Sequence, residues 1–246
     1  MGTVSPSFLL LQARVQGDPM AHHEHVCFAD ALEVPLEQVV AFDLLSGPPS
    51  DDVLRTIDMV LVGGSGSFST LDDHPWLKAF LDWLGDVVVA RSVPTFASCF
   101  GFQALVRAGG GRIVKDPQRA EVGTFEITLT EAGHSDPLLG PYAPSFQAQL
   151  GHKDRATHLP PCMLHLASSE LVPYQAFRIE GSTIFATQFH PELDRAANEY
   201  RYRAYRDAYR GSSADDDDGV LQNMRESPEA TALLRSWVDE VQALQR

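Results

Sequence analysis

A short apolar run that ends at a single cysteine constrains the fold of this chain more than any other feature. The run Pro94-Thr95-Phe96-Ala97-Ser98 stops at Cys99, and a helix-forming segment follows as far as Arg107. This pattern predicts a sharp strand-to-helix turn that presents a nucleophile at the top of a sheet. The free N–H groups of the helix N-terminus would favour a thiolate at Cys99 and could bind an oxyanion. The alternative is a buried thiol that packs as a small hydrophobe.

The residues before Cys99 alternate between strand and helix patterns, which predicts an α/β fold: a flavodoxin-like mixed, mostly parallel sheet with helices on both faces. Ligands of such sheets bind at the carboxyl ends of the strands, so the glycine loop Gly63-Gly64-Ser65-Gly66-Ser67 and Cys99 should face one crevice. The loop lacks the sequence of a phosphate-binding P-loop and the GxGxxG spacing, which counts against a dinucleotide-dependent oxidoreductase. The predicted elements here are strands over 8–15, 39–45 and 58–62, a helix from about 22 to 32, a short helix over 51–56 and a helix over 75–89.

The second half of the chain reads mainly as strands, and the last of them ends at a histidine. Pro191 stops this strand and leaves His190 and Glu192 two residues apart at its mouth. A helical segment rich in Arg and Tyr, an acidic loop and an amphipathic helix should follow, giving one domain over 1–246 with a C-terminal helical extension at about 194–246. The predicted elements are strands over 112–114, 123–129, 146–150, 163–167, 174–179 and 183–189, a helix over 193–210, a loop over 215–218 and a helix over 228–244.

Composition excludes several classes of protein. The 246 residues carry a net charge of −14, which argues against nucleic acid as a partner. No apolar stretch is long enough to cross a membrane, and no signal sequence begins the chain, so we expect no membrane association. The three cysteines lack CxxC spacing, which favours the reducing cytoplasm over a disulfide or zinc scaffold. We expect no cofactor and no metal.

One histidine-rich segment invites a metal interpretation. His22-His23-Glu24-His25 supplies four ligand-type side chains, but neighbours on a helix point in different directions, so only His22 and His25 could share a face. Substrate contact and a plain polar loop are the other two interpretations, and the polar loop is favoured.

Cys99, His190 and Glu192 together form a Cys-His-Glu arrangement. A thiolate can attack a carbonyl, an imidazole can carry the proton, and a carboxylate can fix the tautomer of that imidazole. Of the nine histidines, only His190 ends a predicted strand with a carboxylate two residues later. Alone, His190 would more simply be a structural histidine; with the strand-to-helix turn and the glycine loop, the catalytic interpretation is favoured.

These motifs resemble those of the class I glutamine amidotransferases, most closely the amidotransferase domain of GMP synthase and its stand-alone relatives. Cys99-Phe100-Gly101-Phe102-Gln103 is similar to the C-x-G-x-Q motif of the family, and Gln188-Phe189-His190-Pro191-Glu192 matches its QFHPE box. The glycine loop lies where the family carries GGP-x-S, and the resemblance runs from about residue 8 to residue 193. Two weaker signatures are Glu121-Val122-Gly123 and the SHGD-like Gly151-His152-Lys153-Asp154.

The resemblance implies a role for each matching residue. Cys99, His190 and Glu192 would be the catalytic triad, and the backbone N–H groups of Gly64 and Phe100 would form the oxyanion hole. The residues that would contact a glutamine or γ-glutamyl substrate are Gly63, Ser65, Gln103 and His152.

The chain departs from the family pattern in ways that leave its acceptor open. Ser65 replaces a proline, Ala97-Ser98 replace the usual pair before the cysteine, and Gly151 replaces a serine. Nothing after Leu193 resembles an ATP-binding synthase module. The favoured function is hydrolysis of the γ-amide of glutamine or of a γ-glutamyl compound through a Cys99 thioester. The alternatives are an amidotransferase that delivers ammonia to a separate synthase subunit, and a non-catalytic binding module that retains the fold.

Overall fold

A nine-stranded sheet with helices on both faces forms the centre of the protein. The computed structural model describes residues 6–214 and 216–245. The strands are β1 (Phe8–Ala13), β2 (Val39–Asp43), β3 (Met59–Ser65), β4 (Thr95–Ser98), β5 (Arg112–Lys115), β6 (Glu121–Leu129), β7 (Ser145–His152), β8 (Asp154–His158), β9 (Met163–Ser168), β10 (Ala176–Ile179) and β11 (Ile184–Thr187). The helices are α1 (Pro19–Leu32), α2 (Asp51–Leu54), α3 (Pro75–Trp83), α4 (Phe100–Ala108), α5 (Glu131–Ser135), α6 (Arg195–Tyr205), α7 (Asp217–Asn223) and α8 (Pro228–Leu244).

The sheet has a parallel half and an antiparallel half. Its strand order is β2-β1-β3-β4-β11-β10-β9-β6-β7. Strands β2, β1, β3, β4 and β11 pair in parallel, whereas every pair from β11 to β7 is antiparallel. Strands β5 and β8 form a separate two-stranded ribbon. The predicted mixed α/β sheet is therefore confirmed, and the carboxyl ends of β3, β4 and β11 meet at one edge.

Each face of the sheet packs against its own apolar core, because side chains alternate along a strand. In β1, Phe8 and Leu10 join the core that also contains Phe28 of α1 and Trp237 of α8. Leu9 and Leu11 join the opposite core, which α3 and α4 cover. The helix predicted over 228–244 is thus an integral part of one core, where the Trp237 indole N–H donates to the Thr183 carbonyl oxygen at 2.9 Å.

Several elements differ from the predictions: β3 extends into the glycine loop as far as Ser65, and β8 and α5 are elements that the sequence patterns do not predict. The helix over 75–89 is α-helical only to Trp83 and continues over Leu84–Val89 as a π-helical segment, in which Gly85 interrupts the apolar spacing. The acidic segment is not a loop throughout, because α7 begins at Asp217. Asp215 lies outside the described residues. Among the residues that are described, no helix is both long and apolar enough to span a bilayer.

The segment after the QFHPE box lies across the carboxyl edge of the sheet. Asp194 caps α6 by accepting from the Ala197 N–H at 2.7 Å, and a 3-10 turn over 206–209 follows the helix. The Tyr209 hydroxyl donates to the Gly151 carbonyl oxygen at 3.0 Å. In α7, the Asn223 amide donates to the Thr124 carbonyl oxygen at 2.9 Å. These bonds attach the segment to β6 and β7.

Candidate active site

Cys99 occupies the sharp turn between β4 and α4. Its backbone has φ of 50° and ψ of −95°, a left-handed conformation that side chains other than glycine rarely adopt. A Cβ at Gly101 would lie 2.7 Å from Val62 Cβ, so only glycine lets the first turn of α4 approach β3 this closely. The turn therefore has the geometry of a nucleophile elbow.

His190 and Glu192 follow β11, the strand that pairs with β4. The register places Thr187 opposite Ser98, and the Cys99 N–H donates to the Thr187 carbonyl oxygen at 2.8 Å. Glu192 Oε1 lies 2.7 Å from His190 Nδ1. The imidazole is buried and hydrogen-bonded to Cys99 as well as to Glu192. Strand pairing thus brings together the three residues predicted for the triad.

The pKa values of His190 and Glu192 favour a charged pair, an imidazolium beside a carboxylate. Burial alone lowers the pKa of His190, but the charges of Glu192 and Cys99, with hydrogen bonds to both, outweigh it and raise the pKa to about 9. Burial alone raises the pKa of Glu192, but the charge and hydrogen bond of His190 and the charge of Arg201 lower it to about 2. Glu192 is therefore positioned to hold the imidazole in the tautomer that leaves Nε2 free toward the thiol.

Arg201 of α6 is a functional candidate that the sequence reasoning missed. Its Nη1 lies 3.2 Å from Glu192 Oε1 and 3.2 Å from His190 Nδ1. Because the guanidinium shares the Glu192 carboxylate with the imidazole, it competes with His190 for the same negative charge. The only signal in the sequence is the unusual richness of this helix in Arg and Tyr.

Gln103 and Gln188 form a short chain of hydrogen bonds, here called the relay, that ends at the Cys99 thiol. The Gln188 amide donates to Cys99 Sγ at 3.6 Å, and the Gln103 amide donates to Gln188 Oε1 at 3.1 Å. Gln103 also donates to the Asp154 carbonyl oxygen at 2.9 Å. Gln103, predicted to contact substrate, lies in the wall of the cavity that contains Cys99, and this relay fixes its orientation.

The glycine loop is bonded to a buried carboxylate. The Gly64 N–H donates to Glu24 Oε1 at 3.0 Å, and a Cβ at Gly63 would lie 2.6 Å from the same oxygen. Arg14 donates to both oxygens of Glu24 through Nε at 2.9 Å and Nη2 at 2.8 Å. Burial favours the neutral form of Glu24, but the charge and hydrogen bonds of Arg14, with the charge of Arg201, lower its pKa.

The favoured interpretation of residues 22–25 as a polar loop is therefore wrong. All four residues lie inside α1, and Glu24 is fully buried as the partner of Arg14. His25 contacts the Val39 carbonyl oxygen at 2.5 Å. Glu24 and its partners Arg14 and Gly64 are separated in the chain, and they come together only when α1 packs beside β1 and β3.

Ser65 and His152 lie in the wall of the same cavity. The Ser65 hydroxyl closes the loop on itself, because it accepts from the Phe68 N–H and bonds to the Phe68 carbonyl oxygen, both at 2.9 Å. The imidazole of His152 is buried, and its Nε2 lies 3.1 Å from Glu121 Oε2. Glu121 in turn accepts from Ser169 and Gln175, at 2.6 Å each.

The cavity has a volume of about 260 Å³ and opens beside Cys99 and His190. Much of one wall comes from α6 and the turn after it, beyond the region where the family motifs occur. That wall consists of Asn198, Arg201, Tyr202, Tyr205, Ala208 and Tyr209. The hydroxyl of Tyr205 donates to Asp18 at 2.6 Å and accepts from Arg14 at 2.8 Å, which connects the wall to the start of α1.

The sharp turn at Cys99 and the His-Glu pair that follows the neighbouring strand lie together on a mixed α/β sheet. A family model for class-I glutamine amidotransferases matches residues 51–204, and the chain belongs to that family. The match contains Cys99, His190 and Glu192, and also Arg201.

Two curated relatives are GMP synthases [glutamine-hydrolyzing]. The protein of Thermosipho africanus is 34% identical over 140 residues, which are 57% of this chain and 25% of that one. The relative from Sulfolobus acidocaldarius is one subunit of such a synthase, and it is 29% identical over 174 residues, which are 70% of this chain and 84% of the relative. The matched region therefore spans about a quarter of the first relative and most of the second.

Solved structures share the fold over almost the whole chain. A glutamine amidotransferase from Thermotoga maritima has a TM-score of 0.74 at 18% identity, covering 97% of this chain and 99% of that one. A glutamine amidotransferase from Methylobacillus flagellatus has a TM-score of 0.71 at 20% identity, covering 98% of this chain and 94% of that one.

Proposed function

We propose that this protein hydrolyses the γ-amide of glutamine or of a γ-glutamyl compound through a thioester at Cys99. The observation that carries the proposal is the convergence of the elbow cysteine with His190 and Glu192, whose nitrogen and oxygen are 2.7 Å apart. Membership of the class-I glutamine amidotransferase family supports the same chemistry.

The first half of the reaction forms the thioester. The Cys99 thiolate attacks the γ-carbonyl carbon, and the imidazolium of His190 gives its proton to the leaving nitrogen as the C–N bond breaks. Ammonia or an amine departs, and the acyl group remains on sulfur. Glu192 keeps the imidazole oriented and stabilises its positive charge through the bond at Nδ1.

The second half releases glutamate. Neutral His190 removes a proton from water as the water attacks the thioester, the C–S bond breaks, and the thiolate and imidazolium return. Each tetrahedral intermediate needs N–H donors for its oxyanion. The Phe100 N–H is one donor, because the first N–H of α4 has no acceptor within its own helix. The Gly64 N–H would be the second once it exchanges Glu24 for the oxyanion.

The substrate would lie along the cavity wall. Ser65, Gln103 and His152 line the cavity, and we assign them to the γ-glutamyl half of the substrate. Gly63 acts indirectly: because it has no side chain, the Glu24 carboxylate can lie directly against the backbone of the glycine loop.

Delivery of ammonia to a separate synthase subunit is the second candidate function. The relatives that are single subunits of GMP synthase, from Sulfolobus acidocaldarius and Sulfurisphaera tokodaii, favour it. The wall formed by α6 and the following turn favours the hydrolase, because this segment lies over the cavity that such a partner would have to reach.

The test is release of glutamate from glutamine and from a panel of γ-glutamyl amides, with and without the synthetase component of a GMP synthase. We expect release without a partner and none from Cys99→Ala. Turnover that appears only with the synthetase would support ammonia delivery. No turnover under either condition, with no labelling of Cys99 by an electrophilic glutamine analogue, would support a binding module.

A further inference from the structure

Lysine is rare in this chain, and its positions are informative. Of the 19 Lys and Arg residues, only Lys78, Lys115 and Lys153 are lysines. Two of these three, Lys115 and Lys153, line the cavity that contains Cys99. The protein as a whole has a net charge of −14, so a pair of ammonium groups at this cavity opposes the general charge of the molecule.

The two lysines are neighbours in space. Lys115 ends β5 opposite Asp154 of β8, and Lys153 directly precedes that residue. Burial and then the charge of Lys115 lower the pKa of Lys153, whereas Asp154 opposes the shift. The two like charges therefore repel each other, and an anion between them would relieve that repulsion.

Lys153 is held in place, and Lys115 is exposed. The Lys153 ammonium donates to the Ala208 carbonyl oxygen and lies 5.5 Å from the centroid of the Tyr209 ring. An ammonium has three donors, so two remain for a ligand. Within 6–214 and 216–245, Lys115 has no ion-pair partner.

The acidic residues of the cavity are already engaged elsewhere. Ser69 donates through its backbone N–H to Asp72 at 2.7 Å and through its hydroxyl to Asp154. Asp72 and Asp154 both line the cavity, but among the described residues neither carboxylate forms an ion pair with Lys115 or Lys153. The cavity wall thus presents two ammonium groups that have no ion-pair partner within residues 6–214 and 216–245.

We propose that Lys115 and Lys153 bind a carboxylate on the leaving amine, so that the substrates are γ-glutamyl conjugates of amino acids or peptides. This inference rests on the proposed hydrolysis of γ-glutamyl amides. The γ-glutamyl half carries one ammonium and one carboxylate and has no net charge. A leaving amino acid adds one negative charge, which free glutamine lacks, and charge-assisted hydrogen bonds from lysine would recognise it.

A pair of isosteric substrates tests the inference. γ-Glutamylglycine and γ-glutamylglycinamide differ only in replacing a carboxylate by a neutral amide beyond the scissile bond. We expect kcat/KM to favour γ-glutamylglycine by about tenfold, as for one charge-assisted contact, with a smaller ratio at high salt. Lys115→Gln and Lys153→Gln should each reduce the ratio toward one, and Lys115→Arg should preserve most of it.

The third lysine supplies a matched control. Lys78 lies on the surface of α3, paired with Asp82 at 2.6 Å and away from the cavity, so Lys78→Gln should leave the ratio unchanged. Equal kcat/KM for the two substrates in the wild type would overturn the inference. So would a loss in the lysine variants that is the same for both substrates, because the lysines would then contact the γ-glutamyl half.

Binding to Cys99→Ala separates failure of this inference from failure of the proposed function. If calorimetry shows tighter binding of γ-glutamylglycine and Lys153→Gln abolishes the difference, the lysine site stands even where no substrate is hydrolysed. If the wild type hydrolyses both substrates but neither rate nor binding discriminates between them, the lysine site is wrong and the hydrolase stands.

Discussion

The elbow after β4 and the glycine loop, which begins in the last residues of β3, lie side by side at the carboxyl edge of the sheet, yet they are organised differently. At the elbow, Cys99 and its helix come from one continuous stretch of sequence, and the strain of the turn is local. At the loop, the Gly64 N–H is held by Glu24, which is 40 residues away in the chain and itself held by Arg14.

This difference between the elbow and the glycine loop indicates which part of the site can change during a reaction. The backbone conformation of Cys99 is set by the elbow itself, whereas the Gly64 N–H, the oxyanion donor that we propose, would have to leave the Glu24 carboxylate first. We therefore expect variants at the elbow to affect catalysis alone, and variants beneath the loop to affect stability as well.

The largest effect should come from the nucleophile and its base. Cys99→Ala and His190→Ala should each reduce kcat by about 10⁶-fold, and the double variant should be no worse, since residues that act as a unit are not additive. Steady-state release of glutamate measures this. Retained native circular dichroism is the control, and a His190→Ala enzyme within tenfold of wild type would contradict the assignment of the base.

Removing only the orienting carboxylate should be less severe. Glu192→Gln should lower kcat by about 10⁴-fold, because the imidazole loses its preferred tautomer but remains beside the thiol. Burst kinetics with a chromogenic γ-glutamyl anilide should show acylation slowed. A variant as inactive as Cys99→Ala would indicate that Glu192 also has a structural role, to be checked by circular dichroism.

Beneath the loop, Glu24→Ala should cost about 3–5 kcal/mol of unfolding free energy, because Arg14 would be left buried with only Asp18, at 3.5 Å, as an acidic partner. Urea unfolding measures the loss. Glu24→Gln keeps the size of the side chain, and the double variant Arg14→Met with Glu24→Gln removes both charges and should recover part of the stability. A Glu24→Ala protein as stable as wild type would show that the ion pair is dispensable.

The smallest effect should be the pH dependence of stability that comes from the His190 imidazole. The pKa of His190 is raised to about 9 in the folded protein, against about 6.5 when unfolded. Its contribution to stability is thus complete below about pH 6.5 and is lost as the pH rises through about 9, by at most ~1.4 kcal/mol per pH unit for one proton. Proton NMR of the ring should show this pKa.

Cys99→Ala is the control for that titration. Because the charge of Cys99 and its hydrogen bond both raise the pKa of His190, the variant should titrate at a lower pH. An identical titration in wild type and variant would mean that thiol and imidazole do not interact.

The sequence was sufficient for the parts of the site whose partners are close in the chain. Most of the strands and helices, the turn at Cys99 and the pair at 190 and 192 follow from local patterns, whereas β8 and α5 do not. The structure brings Cys99, His190 and Glu192 together. Arg201 could not be predicted, because nothing local distinguishes an arginine that points inward from the others of its helix.

Glu24 shows the same limit more sharply. A carboxylate among histidines reads as polar, and only the packing of α1 against β1 and β3 reveals that Arg14 compensates its burial. The Lys115–Lys153 pair likewise depends on the pairing of β5 with β8, which joins residues that are far apart in the chain.

The position of α8 has a consequence for how the chain acquires its structure. Trp237 packs edge-on against Phe96, with ring centroids 5.6 Å apart, in the core that also contains Phe8. During synthesis, β1 leaves the ribosome long before this indole exists. One face of the nascent sheet therefore stays incomplete until residues 228–244 emerge, and until then its apolar side chains lack the helix that covers them.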